Sequence, residues 1–504
     1  MILTALDYRP GIIVLLPLIA SCLIYILGEH IRPNFREAIT FASAFPMAAL
    51  VYSMIPAALE GKEIGFTLLE IVKGIPLQFS VDAAGMIFAC VASTLWIVTS
   101  CYSIGYMRGH GEKNQTGYYS AFAMCLTATM GLCFSANLLT FFIFFEVLTV
   151  ATYPLVVHYR DEEGTRSGRK YLAYTLISGQ LFFAGIVILY SFTGRMDFVP
   201  GGFVNTGDIP MPWMLVVFIL MIGAGIVKAG VMPLHSWLPA AMVAPTPVSA
   251  LLHAVAVVKA GAFCTLRVVL YVFGPEAARF CHGSEILAWM AVATILVSSL
   301  IAIRKDNLKA RLAFSTVGQL SYIILGIAIL SPYAATGALY HIVAHAFMKI
   351  TLFMCAGAIF VTTHRKNISE MIGIGRQMPI TMTCFTLASL AVAGFPFFVG
   401  FTSKANIIMG AISMGQPFFV ATLIVSALLA LTYLMPVVLM AFKRDFYNSQ
   451  FPVRKEASLP MLIPIMITAA CSLILGVMPN FGLHLYDLAV MAGNAIFWII
   501  PVGV

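Results

Sequence analysis

Charge is what this sequence has little of. Of its 504 residues, 10% are Asp, Glu, Lys or Arg, against about a quarter in soluble domains. With 61% hydrophobic residues, the chain has more apolar surface than a water-soluble fold hides. That excludes a soluble enzyme, a disordered chain and a nucleic-acid binder. Cysteine chemistry is missing too. The ten cysteines form no CxxC pair and no Cys/His group at metal spacing. Nine lie in apolar runs and Cys281 falls in a predicted loop, so the nine read as small core hydrophobes without a redox role. No nucleotide loop, cofactor motif or cluster-ligand set occurs, so no cofactor is expected and any driving energy comes from elsewhere. Strands that alternate apolar and polar residues are absent as well. Segments 211–227 and 417–442 are apolar all round, which rules out a membrane barrel.

What is there is a succession of long hydrophobic runs. They predict an all-α polytopic membrane protein with about fourteen transmembrane helices, near 10–28, 38–57, 83–104, 116–134, 137–158, 171–193, 212–243, 246–273, 285–303, 312–331, 335–362, 379–413, 417–442 and 459–478. The stretch 10–28 has no small-residue cleavage site after it and reads as a retained first helix. A further apolar run at 488–504 is either interfacial or a fifteenth span. Lysine and arginine set the orientation. The loops around 32–36, 108–113, 160–170, 304–311, 365–376 and 443–455 hold nineteen, and the opposite loops hold five. Both termini are therefore expected on the non-cytoplasmic side of a cell membrane. The net charge of +8 mostly reflects this topology.

Five bases remain inside predicted helices: Lys228, Lys259, Arg267, Lys349 and Lys404. One acid, Glu146, sits mid-helix in FFIFFEVLTV. Each charge at bilayer depth costs several kcal/mol unless paired, hydrated or neutralised. Arg267 lies past the middle of its helix and reads as a structural, outward-reaching residue. The lysines outnumber the acid available to pair with them, so some are solvated or transiently neutral, which makes them proton-exchange sites. His341, His345 and Lys349 recur at i, i+4 and i+8 and share one helical face. His253 and Lys259 share a helix but, six residues apart, not a face.

Two long segments carry prolines beside a buried lysine. The first has Lys228 followed by Pro233 and Pro239. The second has Gly394, Pro396 and Gly400 before Lys404. Proline removes a backbone donor and breaks the helix, which lipid tolerates only where protein or a wet cavity covers the break. The breaks fall in the seventh and twelfth segments, five helices apart. They suggest two inverted five-helix repeats, with helices one to three in 1–115, a first repeat in 116–273, a second in 285–442, and the last helix and tail in 459–504.

The stretch GIVKAGVMPLHSWLPAAMVAPTPVSALLHAVAVVKAG (225–261) resembles the signature of the antiporter-like proton-channel family. That family comprises membrane-arm subunits of respiratory complex I, Mrp-type cation/proton antiporter subunits, and relatives in membrane-bound hydrogenases. VDAAGMIFA with YSIGYM (81–107), LLTFFIFFEVLTVATYPLV (138–156), DNLKARLAFSTVGQLSYIILG (306–326), YHIVAHAFMKITLF (340–353) and AGFPFFVGFTSKANII (393–408) match in the same order. The resemblance implies that Glu146 pairs with Lys228, the proton carrier of a first half-channel. It implies that His253 and Lys259 link the halves, that His345 and Lys349 are central, and that Lys404 serves the exit. His341 joins this proton path by its spacing. One departure is Ala240, where many relatives have Asp.

The function so implied is a proton-translocating subunit of a multi-subunit Mrp-type Na+/H+ antiporter, working with other membrane subunits and moving protons; no Na+ path can be read from this chain, whose one mid-membrane acid is Glu146. It has no redox or hydrolytic site of its own. The length and loops look most like the D-type Mrp component. An alternative is the equivalent pumping subunit of a complex I-like or hydrogenase redox complex. A third, of another class, is a membrane anchor for a soluble partner such as an inorganic-carbon uptake protein.

Overall fold

The computed structural model describes residues 5–62, 64–72, 74–443 and 454–498. Helices α1 (Arg9–Leu27), α2 (Pro33–Ser53) and α3 (Ile55–Leu59) are followed by α4 (Ala83–Gly109), α5 (Gln115–Cys133), α6 (Leu138–Val156), α7 (Glu162–Thr193) and α8 (Met211–Ala229). Beyond a break come α9 (Trp237–Ala240), α10 (Thr246–Ala254), α11 (Val257–Leu266) and α12 (Gly274–Phe280), with a π-helical stretch, Arg267–Phe273, between the last two. The second half holds α13 (Gly283–Arg304), α14 (Leu308–Ala328), α15 (Pro332–Thr363), α16 (Ile374–Gln377), α17 (Pro379–Ala393), α18 (Val399–Ser413), α19 (Pro417–Phe442), α20 (Leu459–Val477) and α21 (Leu485–Ile496).

Twelve helical segments among the described residues are long and apolar enough to cross a membrane. Helix α5, 19 residues and so about 28 Å long, and the interrupted pair α17–α18 complete the expected fourteen crossings. Two features differ from the hydropathy reading. The loop between the second and third crossings holds a hairpin, β2 (Ile64–Val72) and β3 (Ile75–Val81), and β1 (Ala5–Leu6), ahead of the first helix, joins its β2 edge to make a three-stranded sheet. The eighth crossing is also not one helix. The amides of Val255 and Ala256 both donate to the Leu251 carbonyl; the second is a bond across five residues, so the helix widens there and restarts at Val257. The described part of the C-terminal apolar run is α21, which at 12 residues is about 18 Å long and too short to span.

Local chemistry sets the helix starts. Proline occupies the first turn of α1, α2, α8, α15, α17, α19 and α20, where its missing amide leaves nothing unpaired. Polar caps start others. Asn137 accepts from the Thr140 amide at 2.8 Å and opens α6; Asn307 accepts from the Ala310 amide at 3.0 Å and opens α14. These two asparagines also make matching isolated bridges, Asn137 to Asp197 and Asn307 to Asn367. The same device thus recurs five crossings apart, each time tying the start of one helix to the end of the next.

Helix α15 is the axis of the bundle. Residues from Ala334 to Ile359 are all buried, and α4, α10, α14, α17, α18, α20 and α21 pack around it. The outer helices present large apolar side chains, among them Leu15 and Ile19 of α1 and Leu428 and Leu439 of α19, outward as a lipid- or subunit-facing surface. The Lys/Arg-rich loops gather at one end of the bundle. There, residues from the turns before α5, α7, α10 and α14 and after α15 surround a cavity of about 740 Å³. The sheet and a second cavity of about 540 Å³ lie at the other end.

Candidate functional site

Lys228 and Lys349 are fully buried, as are His341 and His345, and Lys404 is 5% exposed. Three of these side chains rest on neutral oxygens. Lys228, in the last turn of α8, donates to the Phe145 carbonyl of α6 at 2.6 Å, with its ammonium 3.3 Å from the centre of the Phe145 ring. Lys349 donates to Ser315 Oγ at 2.5 Å and to the Leu312 carbonyl at 3.4 Å, both on α14. Lys404, in α18, reaches back across the break to the Val392 carbonyl at 2.5 Å and lies 4.7 Å from the centre of the Tyr322 ring. Val392 lies in the last turn of α17, so this ammonium sits at the negative end of a helix dipole.

The breaks shape these positions. Gly230 (φ 72°) ends α8 and Gly394 (φ 88°) ends α17, a left-handed conformation that costs glycine little. Pro233 stands in the turn between α8 and α9, and Pro239 inside α9. Pro396 stands between α17 and α18. Trp237 closes over the first break by donating its indole N–H to the Val227 carbonyl at 2.8 Å. Helices α8 and α11 touch backbone to backbone there: a Cβ on Gly261 would run into the Ala229 amide and lie 2.7 Å from the Gly225 carbonyl oxygen. Lys259, fully buried, stands two residues before this contact.

The stripe on α15 forms as its spacing predicts. The His341 and His345 rings are 6.3 Å apart. His341 stacks on Tyr322 at 5.6 Å and its Nδ1 is 2.8 Å from Ser403 Oγ, the residue before Lys404. The central helix is thereby tied to the second broken helix. His253 belongs to α10, and its side chain lies outside the described residues.

Glu146 is placed differently from the expected pair. Among the described residues no ion pair within 4.0 Å joins it to Lys228. The two charges interact through space, but the Phe145 ring and carbonyl hold the ammonium while the carboxylate turns onto Gly179 of α7. Adjacent residues on a helix point about 100° apart, and the Glu146 carboxylate takes the side toward α7. Arg267 is also resolved: both its terminal nitrogens bind Asp82, at 2.5 and 2.7 Å, and Phe198, Phe263 and Tyr271 surround its guanidinium. It braces the start of α4 rather than reaching outward. Asp82 was not singled out by its sequence context, and neither was Ser315.

Relatives divide between two kinds of complex. The chain is 28% identical over 486 residues to NADH-quinone oxidoreductase subunit N of Desulforudis audaxviator, covering 93% of this chain and 95% of the relative. It is also 28% identical over 499 residues to Na+/H+ antiporter subunit A1 of Staphylococcus aureus, covering 93% of this chain and 61% of that longer protein. Among solved structures, a chain of the Mrp complex from Dietzia sp. superposes with a TM-score of 0.86 at 19% identity, covering 98% of each chain. A chain of an archaeal membrane-bound sulfane sulfur reductase gives 0.87 at 21%, covering 98% of this chain and 99% of that one. Thermus thermophilus respiratory complex I gives 0.79 at 19%, covering 97% and 99%. All three are multi-subunit membrane complexes, and these likenesses show the shared fold. Residues 135–430, from the cap of α6 into α19, match the family described as NADH:quinone oxidoreductase/Mrp antiporter, TM, and the chain belongs to that family of antiporter-like proton-translocating membrane subunits.

Proposed function

We propose that this chain is the proton-translocating subunit of a multi-subunit Mrp-type Na+/H+ antiporter in the cell membrane, with its Lys/Arg-rich face in the cytoplasm. Protons pass along Lys228, His253, Lys259, His345, Lys349 and Lys404, with Glu146 biasing the entrance and His341 bridging to the second broken helix. Residues 116–273 and 285–442 act as two half-channels. The observation that carries this reading is the partnership of the buried lysines. Lys228, Lys349 and Lys404 donate to carbonyl and hydroxyl oxygens, and among the described residues no carboxylate lies within 4.0 Å of them. A buried ammonium locked to a carboxylate would be a staple. One resting on neutral oxygens is free to give up its proton when the local field changes.

A second reading, a proton-pumping subunit of a redox complex, is favoured by the near full-length match to NADH-quinone oxidoreductase subunit N. One measurement separates the two. The purified complex in proteoliposomes is given first a Na+ gradient, then an electron donor and acceptor, while internal pH is followed. The antiporter reading requires proton movement from the Na+ gradient alone, abolished by Lys228→Ala and by Lys349→Ala. Proton movement only with the redox pair transfers the chain to the second reading. Normal movement in both variants defeats the lysine path in either.

A further inference from the structure

The cavity at the Lys/Arg-rich end has a carboxylate beside it that the lysine path does not use. Glu112, in the turn between α4 and α5, is 9% exposed despite its position at the end of the bundle. The Tyr159 hydroxyl donates to its Oε1 at 2.7 Å. His158 Nε2 lies 3.6 Å from Oε2, and His110 Nε2 lies 3.8 Å from Oε1. Burial works against its charge, but His158, Tyr159 and His110 more than offset it and hold the carboxyl below the usual glutamate range. His110 and Tyr159 line the cavity wall.

The same cavity comes close to Lys349 along two independent helices. Lys309 of α14 lines it, and Ser315, which holds Lys349, is six residues further along that helix, about 9 Å away. Ala356 of α15 lines it, and Lys349 is seven residues away, about 10 Å. Between Glu112 and that floor stand two hydroxyls. Tyr106, whose ring is 6.0 Å from that of His110, interacts with the Tyr159 hydroxyl and accepts from Thr246 Oγ1 at 3.4 Å. Thr246 opens α10 and packs against Gly357 of α15, eight residues and so just over two turns from Lys349.

We propose that Glu112, flanked by His110 and His158, is the proton-collecting site on the Lys/Arg-rich face, and that Tyr106 and Thr246 pass protons from it to Lys349. This rests on the lysine path proposed above and adds an entrance to it that does not run through Lys228. A proton from bulk water settles on an imidazole nitrogen beside the carboxylate. Once its hydroxyl has turned to donate to Thr246 rather than accept from it, Tyr106 takes up that collected proton as it gives its own to Thr246, which does the same in turn. Water covers the last two turns to the Lys349 amine, so one proton enters and neither hydroxyl is changed.

The collector is needed because its surroundings are basic. Lys309, which interacts with Glu112, Lys366, Arg365, Arg166 and Lys170 line the cavity, and among the described residues Asp161 and Glu163 are the acids beside them. His364 stands 6.5 Å from His110. A field of this sign repels protons, and Glu112 supplies the buried negative charge that draws them in.

The test uses everted membrane vesicles carrying the whole complex, with initial proton uptake measured on the exposed Lys/Arg-rich face at about pH 6.5 and about pH 8.5, on either side of histidine titration. Glu112→Gln is expected to slow uptake about tenfold at the alkaline pH, a typical size for electrostatic focusing, with near-normal uptake at the acid pH and rescue by Glu112→Asp. Tyr106→Phe is expected to slow uptake at both. Lys349→Ala is the reference. If it abolishes uptake while Glu112→Gln matches the native protein at both pH values, the collecting site is wrong and the lysine path stands. Equal loss at both pH values without rescue by Asp makes Glu112 structural and also overturns the proposal. Native uptake in Lys349→Ala removes the path itself.

Discussion

Lys349 and Ser315 meet through a 2.5 Å hydrogen bond in the middle of the bundle, and the same Ser315 hydroxyl lies 2.8 Å from the Tyr433 hydroxyl of α19. The central lysine is thus held by a neutral two-hydroxyl chain. Each hydroxyl in it can turn between donating and accepting, a property no carboxylate partner offers.

Removing the first hydroxyl tests that relationship. Ser315→Ala leaves Lys349 with the Leu312 carbonyl at 3.4 Å. A hydrogen bond to a charged group is worth roughly 1.5–3 kcal/mol. If it steadies the lysine in the proton-loaded state, transport slows by about tenfold or more, since each 1.36 kcal/mol is tenfold in rate. Tyr433→Phe is expected to act in the same direction and less. Proton flux in vesicles reads both, and a Ser315→Ala rate equal to the native one shows that the hydroxyl carries no part of the path.

The brace at the opposite end predicts an asymmetry in stability. The Arg267 side chain is 3% exposed and that of Asp82 is 30% exposed. Asp82→Asn keeps the cap on α4 but leaves a buried guanidinium without its counter-charge, at a cost of about 3–5 kcal/mol. Arg267→Met leaves a carboxylate that already lines the 540 Å³ cavity and is open to water, so its cost is smaller. Thermal unfolding of the purified complex in detergent ranks the two, and the reverse order contradicts this account.

Much of this architecture was legible in the residues, for a physical reason. Lipid forces every backbone amide into a helix, so hydropathy alone located the crossings, and the prolines with Gly230 and Gly394 located the breaks. The α15 stripe followed from a spacing of four. Partnerships were less legible. Sequence gives no sign that Lys228 would settle on the Phe145 carbonyl, because a backbone oxygen belongs to every residue. The Arg267–Asp82 pair joins residues 185 positions apart. The small sheet also escaped notice, because its strands stand outside the bilayer, where hydropathy loses its meaning.

Close backbone contact at the first break gives a steric prediction with a built-in control. Gly261→Ala pushes a methyl group into the Ala229 amide and toward the Gly225 carbonyl at 2.7 Å. Neither group is a flexible side-chain end that can swing away, so α8 and α11 must separate, at about 1–3 kcal/mol. Gly223, five residues before Lys228 on α8, has open space around its Cβ position. Gly223→Ala is expected to be neutral or slightly stabilising, because alanine favours helix by about 1 kcal/mol. Unfolding midpoints and assembled yield of the two variants check this. Equal behaviour means that the helices do not pack as closely as described.

Gly179 separates packing from coupling. A methyl group there meets the Glu146 carboxylate, the mobile end of a side chain, so the fold accommodates it and stability changes by less than about 1 kcal/mol. The carboxylate must move, however, and with it the field that Glu146 exerts on Lys228. Gly179→Ala is therefore expected to assemble normally and to transport at an altered rate. Glu146→Gln, which keeps the shape and removes the charge, is expected to lose most transport. If coupling between Gly179 and Lys228 runs through Glu146, combining Gly179→Ala with Glu146→Gln adds nothing to the loss from Glu146→Gln alone, a non-additivity that a double-mutant cycle on proton flux reads directly. Additive losses would mean that Gly179 acts through the packing of α6 against α7, and that the carboxylate's position is not what sets the proton affinity of Lys228.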